Sequence, residues 1–532
     1  MSAVFSPAMT RGFSEATKLY GALLDRIELA TINGFVYSTP RPVGAPPDAK
    51  GTPPRAVFWL LQRVHPELRA RIKRADQVFK ERYWREDLAR WDNEIKPDLA
   101  REGKALLNED LTAYSDAQLA DHVRRSTAYL EKTIYSHHRM NVCALLAPAD
   151  FITHVVRWTG EKPETVLIAM RGQSPLSSGP ESELGTVRAA ISNDEEAKAI
   201  LASARPGAEV LRALGERPAV AAPLAKYLET AGWRVLGGYD VADRHAHEHP
   251  DLLVKIISAA VNSVRPEAAM RAQEAIAALK AKVPPQHHAE FDALLAEAQL
   301  VYRVRDERNF CSDAMGVGMA RRALLEVGKR LEARGRIHDA SHVVDASPDE
   351  VVALLSGSAT PSADELASRV KYRETTSQDL APEFLGNPPS EPPPAEWLPA
   401  GAARLQRAIS TSLALMFAVP KQAGTDKHLK GFGVSPGVVE GPARVILDVT
   451  DLPTVRQGEI LVTPSTGPTF NVVLPLLTGL VTERGGALSH AAIVAREYGI
   501  PGIVGCREIT KRVKTGMRLR VDGTKGEVWI LG

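Results

Sequence analysis

One histidine near the C-terminal end of this 532-residue chain has neighbours that suit phosphoryl chemistry. His490 follows two glycines and Ser489, and it precedes a run from Ala491 to Glu497 without glycine or proline. Ser489 is a favoured N-cap residue, so the pattern predicts a helix whose first turn contains His490. Unpaired backbone N–H groups and the positive end of the helix dipole favour an anion there. An imidazole so placed has a nucleophilic nitrogen that can take up a phosphoryl group and release it again.

The loop before His490 contains four further residues of interest, Thr482, Gly485, Gly486 and Ser489. The two glycines permit a sharp turn and allow a phosphate or a partner surface to come close to the backbone. The hydroxyl groups of Thr482 and Ser489 have an ordinary structural interpretation, as turn and cap residues, that is as well supported as a catalytic one.

The string from Thr482 to Glu497 closely resembles the phosphohistidine swivel domain shared by phosphoenolpyruvate synthase, pyruvate phosphate dikinase and rifamycin phosphotransferase. Three other motifs carry the same resemblance: 431–445, 498–505 and 521–528. The resemblance covers residues 431–532. It implies that His490 is phosphorylated and that Thr482 and Ser489 help to hold its ring.

Hydrophobic periodicity predicts that residues 1–375 are mainly helical. Apolar residues recur at spacings of three and four between Cys311 and Arg334, which places them on one helix face. The same pattern occurs in 68–91, 119–130, 268–282 and 289–300, whereas Gly34–Tyr37 is typical of a short strand. The prolines at 388–394 indicate an extended linker, and we place linker and connecting helix in 376–430, with Ala402–Phe417 helical.

From Gly431 onward the pattern changes to short β-rich runs separated by turns, namely 443–447, 459–463, 479–482, 518–521 and 527–531. The predicted fold is therefore multidomain, with a mainly α-helical N-terminal domain and a C-terminal α/β domain in 431–532. The linker would allow the His490 domain to move between two sites, although an ordinary interdomain connection explains it equally well.

A second resemblance covers the region before the swivel domain. It is similar to the helical acceptor-binding domain of rifamycin phosphotransferase and of the large subunit of phenylphosphate synthase, on patches at 227–240, 302–310 and 320–339. Residues 1–375 contain no Gly-rich nucleotide loop or G-x-x-x-x-G-K-[ST] motif. We also expect no phosphoenolpyruvate-binding barrel after the swivel domain. The resemblance thus implies a dikinase-type phosphotransferase whose Mg-ATP is bound by a separate ATP-grasp subunit.

The acceptor implied by this resemblance is a small hydroxylated molecule, with an aromatic one favoured. Arg303, Arg305 and Arg308 could clamp the transferred phosphoryl group, or could instead lie on a solvated helix face. Candidate bases for the acceptor hydroxyl are His245, His247, His249, Asp240 and Glu307. The three alternating histidines could also bind zinc or copper, but the His249-Pro250 step indicates an exposed loop and we expect no metal. An aromatic ridge (Phe79, Tyr83, Trp84, Leu88, Trp91) fits core packing better than an aryl pocket.

Composition sets outer limits on function. The net charge of +2 gives no support for a nucleic-acid or membrane partner, and 44% hydrophobic content is that of an ordinary globular protein. Three widely spaced cysteines and the absence of a leader-like N-terminus predict a cytoplasmic protein. Our leading interpretation is a phosphotransferase subunit that carries a phosphoryl group on His490. The alternatives are a component of a rifamycin-type antibiotic phosphotransferase and a non-enzymatic phosphocarrier or regulatory protein.

Overall fold

The structure is a computed structural model that describes residues 2–46, 51–170, 172–173, 183–236, 240–262, 268–309, 312, 314–377, 380–382, 384–386, 391–417, 425, 427–467, 470 and 473–531. Within these ranges the first helices are α1 (Ser2–Tyr20), α2 (Arg55–Val64), α3 (Pro66–Glu81), α4 (Trp84–Arg90), α5 (Lys96–Leu107), α6 (Asp116–Arg139), α7 (Asn141–Thr159), α8 (Pro163–Val166), α9 (Glu183–Ser192), α10 (Glu195–Leu201) and α11 (Gly207–Gly215).

The later helices are α12 (Pro218–Ala231), α13 (Pro250–Asn262), α14 (Ala268–Lys282), α15 (His288–Tyr302), α16 (Val304–Arg308), α17 (Ala314–Ala333), α18 (Pro348–Leu355), α19 (Ala363–Thr375), α20 (Ala400–Phe417), α21 (His490–Tyr498) and α22 (Ile509–Arg512). The strands are β1 (Leu24–Ile32), β2 (Phe35–Pro42), β3 (His428–Lys430), β4 (Phe432–Ser435), β5 (Val438–Val445), β6 (Glu459–Thr463), β7 (Leu477–Thr482), β8 (Gly502–Val504), β9 (Arg518–Asp522) and β10 (Glu527–Ile530).

The first of two compact units consists of Met1–Ala144, Tyr239–Asp243 and Glu307–Arg407. It is helical apart from the antiparallel hairpin of β1 and β2. A buried ion pair lies in its core, where the Arg139 guanidinium donates two hydrogen bonds to the Asp87 carboxylate at 2.7 and 2.9 Å. The Tyr20 hydroxyl donates a third at 2.9 Å. These bonds satisfy the buried charges, which would otherwise destabilise the unit.

The second unit consists of Leu145–Gly238, Arg244–Asp306 and Ala408–Gly532. Its eight-stranded sheet has the order β3-β10-β9-β5-β6-β7-β8-β4, in which β5, β6, β7 and β8 run parallel to one another and the remaining pairs are antiparallel. Alternate residues of β6 enter different cores: Leu461 packs in the same cluster as α21, whereas Ile460 and Val462 pack in a cluster on the opposite face. Burial on both faces explains why β6 is apolar along most of its length.

The predicted fold class, helical followed by α/β, is confirmed. The bounds predicted for the strand at 459–463 are those of β6, and the helix predicted at 402–417 corresponds to α20. The short strands β3, β4 and β8 were not predicted. The Pro-rich stretch and the polar break after α20 lie partly outside the described residues, at 387–390 and 418–424. The domain boundaries at 375 and 430 stay a prediction.

The continuous helix predicted for 68–91 is wrong, because α3 ends at Glu81 and α4 starts at Trp84. Arg82 has a left-handed conformation (φ 52°), and the N–H of Tyr83 donates to the carbonyl oxygen of Val78. This closes α3 with a Schellman-type turn, for which glycine is the usual residue, so the sequence contained no signal for the break. None of the helices in the described ranges is long and apolar enough to cross a bilayer.

Candidate functional site

The parallel strands β6 and β7 bring two loops together at one edge of the sheet. Adjacent parallel strands end at the same edge, so the segments that follow them are neighbours. The N–H of Glu483 donates to the carbonyl oxygen of Thr463 at 3.0 Å, and the N–H of Arg484 donates to that of Pro464 at 2.9 Å. The segment 464–467 therefore lies beside the loop 483–489 that leads into α21.

The predicted helix start at His490 is confirmed. Ser489 has extended backbone angles, and its hydroxyl oxygen accepts a hydrogen bond from the N–H of Ala492 at 3.4 Å. His490 is consequently the first residue of α21, in the turn where backbone N–H groups have no partner within the helix.

Both glycines of the loop are required by the local geometry. Gly485 has a φ of +112°, which residues with a side chain rarely adopt. A Cβ atom on Gly486 would lie 2.1 Å from the carbonyl oxygen of Leu415, near the end of α20. The N–H of Leu488 donates to that same oxygen at 3.2 Å. The surface that comes close to the loop is thus a helix of this chain.

The two ring nitrogens of His490 have different surroundings. Nδ1 lies 3.0 Å from the hydroxyl oxygen of Thr466, at hydrogen-bond distance. Nε2 is buried and has no hydrogen-bond partner among the described residues. The ring as a whole is half-buried. The loop therefore holds Nδ1 through a hydroxyl group, whereas the described residues make no hydrogen bond to Nε2.

Burial lowers the pKa of His490 to about 4. The negative charge of Asp306 opposes this shift, and the positive charge of Arg305 adds to it. A histidine with such a pKa is neutral at pH 7, and only the neutral form has a nitrogen lone pair to offer an electrophile. The physical state of the ring is thus that of a nucleophile.

The hydroxyl groups of Thr482 and Ser489 are used within the loop itself. Thr482 is fully buried, and its Oγ1 donates to the carbonyl oxygen of Arg484 at 2.8 Å, while Ser489 caps α21. Both contacts are of the turn and cap kind. The imidazole is hydrogen-bonded instead to Thr466, which was not among the residues predicted from the sequence. Its position three residues after β6, beside the parallel β7, was the available signal.

The three candidate clamp arginines have separate environments. Arg305 is half-buried, its charge acts on His490, and its Nη1 is buried without a hydrogen-bond partner in the described parts of the chain. Arg308 is 4% exposed and donates to the carbonyl oxygen of His137 and to the side chain of Asn141. Arg303 is half-buried, and its carbonyl oxygen accepts from the N–H of Asp306.

The candidate bases are largely engaged in contacts of their own. Glu307 accepts hydrogen bonds from the Trp91 indole at 2.9 Å and from Lys96 at 3.1 Å. Asp240 accepts from the N–H of Ala242 at 3.0 Å. His245 and His247 both meet the ring of Trp233 edge-on, with centroid distances of 5.0 and 4.5 Å.

His249 is the C-cap of the short 3-10 turn Ala246–Glu248. Of the aromatic ridge, Tyr83, Trp84, Leu88 and Trp91 are all buried, which confirms that these residues pack in a core.

Further contacts within the second unit hold the far end of α21. The buried Arg496 guanidinium donates to the carbonyl oxygen of Ala487 at 2.9 Å and is hydrogen-bonded to the hydroxyl of Tyr302, the last residue of α15. The carboxylate of Glu497 accepts from the N–H of Gly172 at 2.9 and 3.0 Å. These bonds attach α21 to the helical part of the same unit, near Arg305 and Asp306.

Two families match this chain in separate regions. Residues 455–526 match the family described as PEP-utilising enzyme, mobile domain. Residues 137–306 match the family described as rifampicin phosphotransferase fourth domain. The first region contains His490 and Thr466, and the second contains Arg305 and Asp306.

Three curated proteins illustrate the extent of the similarity. A rifampicin phosphotransferase from a Streptomyces species is 26% identical over 431 residues, which is 76% of this chain and 46% of that protein. The uncharacterized phosphotransferase YvkC of Bacillus subtilis is 27% identical over 58% of this chain and 36% of its own length. Phosphoenolpyruvate synthase of Pyrococcus furiosus is 48% identical over 19% of this chain and 12% of its own. The chain spans less than half the length of each relative.

Proposed function

We propose that this chain, which its mobile domain makes a member of the PEP-utilising enzyme family, is a phosphotransferase subunit that works through a phosphohistidine at His490. A separate ATP-grasp protein would bind Mg-ATP and charge the histidine. The acceptor would be a hydroxyl group of a small, aromatic molecule. The match to a domain of rifampicin phosphotransferase and the similarity to phosphotransferases support this class of reaction.

One observation carries the proposal: Nδ1 of the His490 imidazole is hydrogen-bonded to Thr466, whereas Nε2 is buried and has no hydrogen-bond partner among the described residues. The lowered pKa of the ring keeps it neutral at pH 7. When Nδ1 carries the proton and donates to the Thr466 hydroxyl, the lone pair is on Nε2. A buried polar atom without a partner is costly in a folded protein, and its retention here fits an atom reserved for a ligand.

The proposed reaction has two steps. In the first, the Nε2 lone pair of His490 attacks a phosphorus atom of ATP, an N–P bond forms, and the P–O bond to the nucleotide breaks with its electron pair on the leaving oxygen. When the β-phosphorus is attacked, water then releases the terminal phosphate as inorganic phosphate, so that a single phosphoryl group stays on Nε2. In the second, the acceptor oxygen attacks that phosphorus, the N–P bond breaks, and the electron pair returns to the imidazole. The acceptor proton passes to a base. N–H groups at the start of α21 stabilise the charges on the transferring oxygens in both steps, and Arg305 adds to this stabilisation in the second step.

A component of a rifamycin-type antibiotic phosphotransferase is the second candidate. It is favoured by the match of residues 137–306 to the fourth domain of rifampicin phosphotransferase. The two candidate acceptors, a phenol and a rifamycin, can be distinguished by incubating the charged protein with phenol, substituted phenols or rifampicin and measuring which compound is phosphorylated. If none of these compounds is phosphorylated and the phosphoryl group passes only to another protein, the phosphocarrier alternative gains support.

The charging step is tested with ATP labelled with ³²P at the β or the γ position. The chain is incubated with purified ATP-grasp protein from the same genome, and acid-labile label on the chain is measured. We expect labelling of the unchanged protein and of a His338→Ala control, whose ring is exposed. The His490→Ala variant should remain folded and unlabelled. Label on that variant at the normal rate would refute the proposal.

The acceptor step is tested with Arg305. An Arg305→Gln variant should be charged normally but should transfer to the acceptor more slowly, by about 10- to 100-fold, since one cation less faces the transferred group. Arg308→Gln serves as a contrast, because that guanidinium is buried against His137 and Asn141 and its loss should lower stability instead. Equal transfer rates for Arg305→Gln and the unchanged chain would exclude the clamp role.

A further inference from the structure

The helix α2 presents an apolar stripe to solvent. Val57, Leu60 and Val64 recur at spacings of three and four, and they are 47%, 51% and 58% exposed. Trp59, beside the stripe, is 54% exposed. α2 has only ten residues, yet it contains four of the fifteen exposed large hydrophobic side chains among the described residues. An amphipathic helix normally buries such a stripe, whereas no element in the described part of the chain covers this one.

The outward orientation of the stripe is fixed by contacts on the other side of α2. Phe58 is 5% exposed, and the centroid of its ring is 6.2 Å from that of Trp397. The side-chain amide of Gln62 donates to the carbonyl oxygen of Trp397 at 3.0 Å. Because these buried contacts lie on the opposite side, the helix cannot turn its apolar stripe inward without losing them.

The charges on α2 are all positive. Arg55 and Arg63 lie near its two ends, and the helix contains no aspartate or glutamate. The Arg63 guanidinium lies 3.4 Å from the centroid of the Trp59 ring. A complementary surface would therefore combine an apolar floor with carboxylates at its margin.

These properties of α2 favour one type of binding partner over two others. A second copy of α2 would bring arginines toward arginines, and two short convex helices would bury far less than the roughly 1,200 Å² of a stable interface. A membrane surface is disfavoured because an interfacial helix exposes a charged face to water opposite its apolar face, whereas that side of α2 is packed against Trp397. A concave groove covers such a helix from both sides, as in helix-in-groove recognition.

We propose that the outward face of α2 docks into an apolar, carboxylate-rimmed groove of the ATP-grasp protein that charges His490. This inference rests on the proposed function, because that function requires a second protein to supply the phosphoryl group. Val57, Leu60 and Val64 would fill the groove, with Trp59 and Arg63 at its margin.

The test measures how fast His490 becomes labelled from ³²P-ATP as the concentration of the purified ATP-grasp protein is varied. For Leu60→Asp we expect the half-saturating concentration to rise at least about tenfold, with an unchanged maximal rate. Val36→Asp is the matched control, since Val36 is 61% exposed in the same unit and lies outside α2. Arg63→Glu should also raise the half-saturating concentration. Adding salt should reduce the difference in this concentration between Arg63→Glu and the unchanged protein.

Transfer to the acceptor from chain that is already phosphorylated should be the same for Leu60→Asp and the unchanged protein. Identical concentration curves for Leu60→Asp, Val36→Asp and the unchanged chain would overturn the docking proposal alone. It would also be overturned if light scattering showed a dimer that Leu60→Asp dissociates, or if the chain sedimented with phosphatidylglycerol vesicles through Leu60. If the unchanged chain is never labelled, the proposed function fails and the docking proposal fails with it.

Discussion

Replacing Thr466 with valine removes the hydroxyl group that is hydrogen-bonded to Nδ1 of His490. The substitution nearly keeps the shape of the side chain at position 466. The hydroxyl oxygen of Thr466 lies 3.0 Å from Nδ1, and burial around the ring leaves little water to take its place. In the variant Nδ1 loses its partner, and the ring loses the contact that sets its orientation and tautomer.

The size of the effect follows from the cost of that lost contact. A typical hydrogen bond contributes about 1 kcal/mol net, and a buried group left unsatisfied costs about 1–3 kcal/mol. At roughly 1.4 kcal/mol per factor of ten, charging of His490 should slow by about 5- to 100-fold. The free energy of unfolding should change by less, because both groups bond to water in the unfolded chain.

The assay is single-turnover labelling of His490 from ³²P-ATP at saturating ATP-grasp protein. Thr466→Ser is the control, since it keeps the hydroxyl and removes only a methyl group, and it should retain most of the rate. Charging of Thr466→Val at the unchanged rate would refute the positioning role of the hydroxyl. So would a Thr466→Ser variant as slow as Thr466→Val, which would point to packing of the methyl group.

Four further outcomes are expected. Because burial lowers the pKa of His490 to about 4, its charging rate should stay level from about pH 8 to about pH 5, whereas an ordinary histidine would be half protonated near 6.5. As the pH falls, His490 becomes protonated at a higher pH in the unfolded chain than in the folded chain. The free energy of unfolding should therefore fall between about pH 6.5 and 4, and it should fall less in His490→Asn. Gly486→Ala should lower the melting temperature by several degrees, because its Cβ would overlap a backbone carbonyl of α20, while Gly215→Ala, with open space, should not. In a double-mutant cycle measured by urea unfolding, Arg496→Met and Tyr302→Phe should show a coupling energy of about 0.5–3 kcal/mol, and strictly additive effects would exclude their hydrogen bond.

The start of α21 could be predicted from sequence because its signals are local. A serine cap, two glycines and an uninterrupted run of helix formers lie within a dozen residues of His490, and each acts on its immediate neighbours. Strand β6 was equally accessible, since its apolar run is bounded by polar turns. The same locality explains why Gly485 and Gly486 could be picked out as turn residues.

Contacts between distant segments could not be predicted in this way. Thr466 meets His490 across 24 residues of sequence because β6 and β7 are parallel neighbours, a fact of topology that no local pattern contains. Likewise, the different surroundings of Arg305 and Arg308 cannot be read from an R-x-x-R spacing. The break at Arg82 was missed for another reason: an arginine took a conformation in which glycine is the usual residue.

The close fit between the His490 loop and the last turn of α20 bears on how the protein can be cut into fragments. A fragment that began at Gly431, where the swivel motif starts, would leave the N–H of Leu488 without its acceptor. It would also lack the end of α20 that packs against Gly486. A fragment that began ahead of Ala400 would keep both contacts. For the same reason, if the histidine-bearing domain travels, Leu415 travels with it, and the pivot belongs upstream of that residue.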